Sequence, residues 1–144
     1  MPYTYTVDSK KDVLFIRAEG KIDDQETISL ACSIASNVKY HPGMRSFTDL
    51  TEVTRNGLSR ESLAQIGKIL RFSPRARRVI VAGNATNYGV SRMYQTYCDI
   101  NGVPSPEIFR TREEALAYLN EGVPPDKVFQ AGLNAGEPVE KIAT

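Results

Sequence analysis

The chain of 144 residues is 41% hydrophobic and 24% charged, proportions that fit one ordinary globular domain. Its 18 Lys and Arg residues and 17 Asp and Glu residues leave a formal net charge of +1, which argues against a role in binding nucleic acid or anionic lipid surfaces. No apolar run approaches the roughly 20 residues of a membrane helix, and no secretory signal is visible at the N-terminus. We therefore expect a cytoplasmic protein with no integral membrane association.

The chain begins with a predicted β-hairpin and an amphipathic helix. Alternating residues over Tyr3–Val7 and β-forming residues over Val13–Ala18 predict the two strands of the hairpin. After Asp23, apolar residues recur at helical spacing and predict a helix that closes near His41. Cys32 is expected on the buried face of that helix.

A strand, a loop and a second helix follow. Arg45–Leu50 predicts a short strand, and the polar residues of Thr51–Gly57 predict a loop. Ser59 stands at the N-cap position of a helix that ends before the Ser73-Pro74 pair.

The second half alternates strands and helices. The apolar run Val79–Ala82 is typical of a central strand in a parallel sheet. A third amphipathic helix, which includes Cys98 on its apolar face, ends at Asn101-Gly102. A short strand at Ile108-Phe109 leads into a fourth helix with a capping box that starts at Thr111.

The order of elements predicts an α/β fold, with an N-terminal hairpin followed by parallel strands in a mixed sheet of four to five strands, flanked by about four helices. The domain is predicted to cover residues 1–120. Residues 121–144, which contain several Pro and Gly residues, are predicted to form an extension in which Pro125 starts one short helix.

Four segments of the chain carry a resemblance to a known family. They are GKIDDQETISL, RSFTDLTEV, RRVIVAG and IFRTREEALAYL. In this order they resemble the SpoIIAA-like family of bacterial proteins, relatives of the STAS and CRAL-TRIO folds, over Tyr5 to Asn120, although family members commonly carry Trp in place of Tyr118. The resemblance implies a mixed sheet flanked by helices, often in a homodimer, and it implies no reaction.

The resemblance also suggests a phosphorylation site. Anti-sigma-factor antagonists of the wider STAS superfamily carry a phosphorylated Ser or Thr, usually within an Asp-Ser-Ser-Gly-Leu stretch after the third strand. The comparable residues here are 54–59, so Thr54 and Ser59 are the candidate phosphoacceptors. Capping of the second helix is the alternative role of Ser59 and explains the residue without phosphorylation.

A ligand site is predicted beyond the carboxyl ends of the parallel strands, where α/β sheets usually bind ligands. Its candidate residues carry hydroxyl, amide, carboxylate or guanidinium groups and are Asp49, Thr51, Asn84, Thr86, Asn87, Tyr88 and Arg92. Thr86 or Asn87 as a plain N-cap, and Asp49 as a structural acceptor in a turn, are the alternatives. An enzyme acting on an anionic substrate through Asp49 and Arg92 is a further hypothesis.

The third helix, a group of arginines and the cysteines and histidine are further candidate features. Met93, Tyr94 and Tyr97 on the third helix are candidates for a dimer or ligand surface. The arginines at positions 71, 75, 77 and 78 have two possible roles, which are to bind an acidic partner or a phosphate, or to form a solvated connection between a helix and a strand. The second role is favoured. Two distant cysteines and one histidine supply no close-spaced ligand set, so neither a metal site nor a cofactor is expected.

Together these observations predict a non-enzymatic STAS-like binding or regulatory domain, acting through a protein partner or a small amphiphilic or anionic ligand. A regulator controlled by phosphorylation at Ser59 or Thr54 is the alternative.

Overall fold

The computed structural model describes residues 2–130 and the short strand at 140–141. Its elements in chain order are β1 (Tyr3–Asp8), β2 (Val13–Asp23), α1 (Asp24–Ala35), β3 (Arg45–Gly57), α2 (Arg60–Leu70), β4 (Arg78–Val81), α3 (Ala85–Ile100), β5 (Glu107–Phe109), α4 (Arg112–Leu119), a 3-10 helix (Pro125–Lys127) and β6 (Glu140–Lys141). None of the described helices is long and apolar enough to span a bilayer.

The strands form one mixed sheet in the order β5-β4-β3-β2-β1-β6. β1 pairs antiparallel with β2 and with β6, whereas β2, β3, β4 and β5 are parallel neighbours. The hairpin, the parallel inner strands and the four helices are thus confirmed, and β6 adds a two-residue strand at one edge.

Two sequence predictions about element length are wrong. The polar stretch Thr51–Gly57 continues β3 instead of forming a loop, and it pairs with the end of β2 beyond a bulge near Glu19. This part of β3 extends past β4, which pairs only as far as Asp49, so its outer residues meet water and can be polar. The first helix ends at Ala35, well before His41.

The sheet is covered on both faces. Helices α1, α2 and α3 pack on one face through residues such as Leu30, Leu63 and Tyr94. Helix α4 packs on the other face, where Ala115 and Leu119 join Phe47 and Val79 of the sheet. Successive residues of an inner strand must therefore enter different layers.

Residues after Asn120 contact the α4 layer. Phe129 is buried there, with its ring 5.5 Å from that of Phe15. The Arg45 guanidinium donates to the backbone oxygen of Lys127 at 2.7 Å and to that of Leu119 at 3.2 Å. The division at residue 120 stays a prediction, and packing against the sheet continues past this position to Phe129.

Cys32 does not lie on the buried face of α1. Its side chain is exposed, whereas Cys98 on α3 is buried as predicted. The buried positions of α1 are Thr27, Leu30, Ala31 and Ile34. Cys32 follows Ala31 and points about 100° further round the helix, outside this buried stripe.

Candidate ligand-binding cavity

The first turn of α3 is held to strand β3 by the side chain of Asn87. Asn84 is the N-cap of α3 and accepts a hydrogen bond from the Asn87 backbone amide at 2.8 Å. The N-cap assignment to Thr86 or Asn87 is therefore wrong, because the helix begins at Ala85. The Asn87 side chain is buried and donates to the backbone oxygens of Leu50 at 3.1 Å and Val53 at 3.0 Å.

The remaining predicted ligand residues on α3 lie in different surroundings. Thr86 is exposed, and the ring of half-buried Tyr88 lies 4.2 Å from the Arg110 guanidinium. Arg92 is exposed and bonds to Gln95 one turn further along α3. The structure does not bring these side chains together around one space.

Asp49 and Thr51 lie in the α4 layer. The buried Asp49 carboxylate accepts from Arg112 Nε at 2.7 Å and from the Thr51 hydroxyl at 2.7 Å. Arg92 is on α3, which packs on the opposite face of the sheet. Asp49 and Arg92 are therefore not brought to one substrate, and Asp49 is instead satisfied by its own neighbours.

Ser59 is the N-cap of α2 as predicted, and it accepts from the Ser62 amide at 3.3 Å. Its own amide donates to the Asp24 carboxylate at 2.7 Å. Hydrogen bonds from the Ser59 and Ser62 side chains hold the pKa of Asp24 below its ordinary value. A phosphate on Ser59 would meet this carboxylate, so the arrangement opposes it. Thr54 is exposed on β3, and phosphorylation of either residue stays a prediction.

The three candidate interface residues of α3 do not share one surface. Met93 is exposed, Tyr97 is half-buried and Tyr94 is 6% exposed. Tyr94 points into the molecule, where it lines a cavity. It therefore belongs to the interior and not to an exposed dimer surface.

This cavity lies between the sheet and the three helices α1, α2 and α3. Its volume is about 100 Å³, counted as the space that the centre of a water-sized sphere can occupy. One water needs only about 10–15 Å³ on this measure. The sheet provides the floor and the helices the roof, with largely apolar side chains such as Ile16, Leu50 and Ile80 below and Leu30, Ile66 and Val90 above.

Thr48 shows that the cavity opens to solvent. It is in the middle of the sheet, paired with Ile16 of β2 and Ile80 of β4, yet its side chain is only half-buried. Leu58 and Val90, which also line the cavity, are half-buried as well. They are at the end of β3 and at the first turns of α3, so we place the mouth there.

Arg78 provides the charge of this cavity. Its side chain is 7% exposed, and its guanidinium lies over the Phe72 ring at 3.9 Å. The guanidinium donates to the Pro104 backbone oxygen at 2.8 Å and to the Tyr94 hydroxyl at 2.9 Å. Its Nε is buried and has no hydrogen-bond partner within the described residues.

No neighbouring group neutralises Arg78. None of the ion pairs among the described residues involves it. Burial raises the pKa of the Cys98 thiol and that of the Tyr94 hydroxyl beside it, and it raises the pKa of Tyr40 to about 12. These groups are therefore uncharged at neutral pH, and the described residues provide no counter-ion for the buried guanidinium.

Sequence reasoning missed Arg78 because it was grouped with its neighbours in a solvated connection. The position of Arg78 next to a buried strand indicates that its side chain can be buried. Arg77 and Arg78 directly precede the apolar run that predicts a strand covered on both faces, and in an extended backbone successive side chains point to opposite layers. Arg77 bonds to carbonyls at the end of α4, and Arg78 enters the cavity.

Comparison with solved structures finds a similar chain. It is an uncharacterized protein from the DUF3478 family, with a SpoIIAA-like fold, from Shewanella loihica PV-4, and it is 19% identical with a TM-score of 0.51. The alignment covers 81% of this chain and 93% of that chain. No protein-family model matches, and no curated protein does. The likeness concerns the fold, and it confirms the SpoIIAA-like fold that the sequence segments indicate.

Proposed function

We propose that this chain is a non-enzymatic binding domain whose cavity between the sheet and helices α1, α2 and α3 holds a small amphiphilic ligand. The observation that carries the proposal is the cavity itself, which combines apolar walls with an opening that leaves Thr48 half-buried. Ligand pockets are usually apolar, with a few polar groups that set orientation. Ser46, Arg78 and Tyr94 supply such groups at one end.

The cost of leaving the cavity empty supports a ligand. Protein interiors are close-packed, and an apolar void destabilises the fold by about 24 cal/mol per Å³. For a volume of about 100 Å³ the cost is at most on the order of 2 kcal/mol, since water can enter the open end of the cavity. A ligand with an apolar chain recovers this free energy when it fills the space.

The ionisable groups of the cavity wall favour binding over proton-transfer chemistry. They are Arg78 and the tyrosines Tyr3 and Tyr94. Burial raises the pKa of both tyrosines, that of Tyr3 to about 12. Groups with such pKa values do not exchange protons efficiently near neutral pH, whereas general acid-base catalysis needs a pKa near the working pH.

The proposal is tested by adding octanol or octanoate to isotope-labelled protein and following the methyl resonances of the cavity wall. We expect saturable shifts at Leu30, Ile66 and Val90. A Thr48→Phe variant fills the floor of the cavity and should remove the shifts. The control is Thr54→Phe, which places the same ring on an exposed part of β3 and should leave them unchanged.

Two results would overturn the proposal. One is that neither amphiphile moves the methyl resonances of the cavity wall. The other is that binding survives Thr48→Phe in a protein with a native spectrum, because the ligand then sits elsewhere.

A further inference from the structure

The buried charge of Arg78 is the feature of the cavity that a purely apolar ligand leaves unexplained. A cation removed from water loses its hydration and needs a compensating partner. The two acceptors that Arg78 has, the Pro104 oxygen and the Tyr94 hydroxyl, are uncharged. The guanidinium carries five N–H donors, and Nε remains without a partner in the described part of the chain.

We propose that Arg78 binds the carboxylate of a medium-chain monocarboxylate, with the hydrocarbon chain of the ligand along the apolar floor of the cavity. This inference rests on the proposed function, because it names the class of ligand that the cavity takes. The carboxylate accepts from the free Nε–H and supplies the missing counter-ion. Charge-assisted hydrogen bonds of this kind are about twice as strong as neutral ones.

The geometry around the guanidinium prepares it for such a ligand. The Phe72 ring stacks on its plane, and the bonds to Pro104 and Tyr94 fix its rotation. A planar guanidinium held in this way matches the planar carboxylate group. Because the side chain is already ordered, little conformational entropy is lost when the ligand binds.

The charge of the cavity favours a monoanion. Among the described residues that line the cavity, Arg78 alone has a charged side chain. A single carboxylate balances this charge, whereas a phosphate monoester would bring a second negative charge into an apolar space without a partner.

The length of the cavity floor indicates how long the hydrocarbon chain of the ligand is. Ser46 pairs with Arg78 across β3 and β4, and Leu50 lines the cavity four residues further along β3. At a rise of about 3.3 Å per residue, these two positions are about 13 Å apart. An extended octanoate matches this span in length, with its carboxylate at Arg78 and its methyl end in the open mouth, because a volume of about 100 Å³ does not enclose the whole chain.

The test compares octanoate with octanol by calorimetric titration of the full chain. In the unmodified protein we expect octanoate to bind at least about tenfold more tightly, because only the carboxylate forms charge-assisted bonds with Arg78. In Arg78→Met the preference should reverse, since a carboxylate then enters an apolar space. Arg75→Met removes an exposed arginine from the same connection and should leave the preference intact.

The comparison of octanoate with octanol in the unmodified protein separates the two proposals without any variant. If octanol binds in the cavity as tightly as octanoate, the role of Arg78 is wrong and the proposed function stands. If neither binds, both are wrong. A preference for octanoate that persists in folded Arg78→Met also overturns the inference, because the carboxylate is then recognised by another group.

Discussion

The buried Asn87 side chain joins α3 to the bulged part of β3, and its removal should destabilise the fold strongly. Asn87→Ala deletes bonds to the Leu50 and Val53 oxygens at 3.1 and 3.0 Å and the bond from Asn56 at 3.1 Å. Val53 keeps a longer bond from Asn84, whereas Leu50 loses this side-chain donor. An unsatisfied buried carbonyl costs about 1–3 kcal/mol, and each other lost bond about 1 kcal/mol.

The better helix propensity of Ala returns about 0.5 kcal/mol, so the net loss is about 3 kcal/mol. Equilibrium urea unfolding followed by circular dichroism measures it. With an m value of about 1.5 kcal/mol/M, the midpoint should fall by about 2 M. The control is Thr86→Ala at the neighbouring exposed position, which should change the midpoint little. A loss under about 1 kcal/mol for Asn87→Ala, or an equal loss for both variants, would refute the structural role of the amide.

Three further predictions concern other buried groups. Asp49→Ala should lower the unfolding free energy by about 2–3 kcal/mol. A double-mutant cycle with Arg112→Met should give a coupling free energy above the roughly 0–1 kcal/mol of surface pairs. Additive effects of the two substitutions would contradict a direct interaction between the two side chains. Burial raises the folded-state pKa of Tyr3 from its ordinary 10.0 to about 12, so its stabilisation is complete below pH 10 and is lost as pH rises towards 12, by about 2–3 kcal/mol. Tyr3→Phe should flatten part of this alkaline decline in urea midpoints, since Tyr40 and Tyr94 also have raised pKa values, and an unchanged slope would exclude a contribution from Tyr3. Exposed Cys32 should react with a thiol reagent in the folded protein and Cys98 only on unfolding, whereas equal rates for the two would contradict the burial of Cys98.

The sequence predicted those parts of the fold that depend on local chemistry. Ser59 and Thr111 cap helices because their side chains accept backbone amides three residues on, and such caps are visible in the order of residues alone. The apolar run of β4 likewise predicted a strand buried on both faces.

The predictions from sequence are wrong where tertiary contacts determine the structure or the burial of a residue. The polar end of β3 pairs with β2, but most of its side chains are exposed, so its composition is that of a loop. Asn87 was placed among ligand residues because its burial depends on a bulge in a distant strand. The cavity cannot be predicted from the sequence, because it is bounded by three helices and the sheet. The burial of Arg78 depends on the same tertiary contacts.

The central claim is that the free Nε–H of Arg78 receives the carboxylate of a ligand in the cavity. Proton–nitrogen NMR observes this N–H group directly in protein labelled at arginine. On addition of octanoate, we predict that the Arg78 Nε–H signal shifts downfield and exchanges more slowly with water, whereas octanol leaves it unpaired and moves only the methyl signals of the wall. An Arg78 Nε–H signal that stays unchanged while octanoate saturates those methyl shifts would contradict the account.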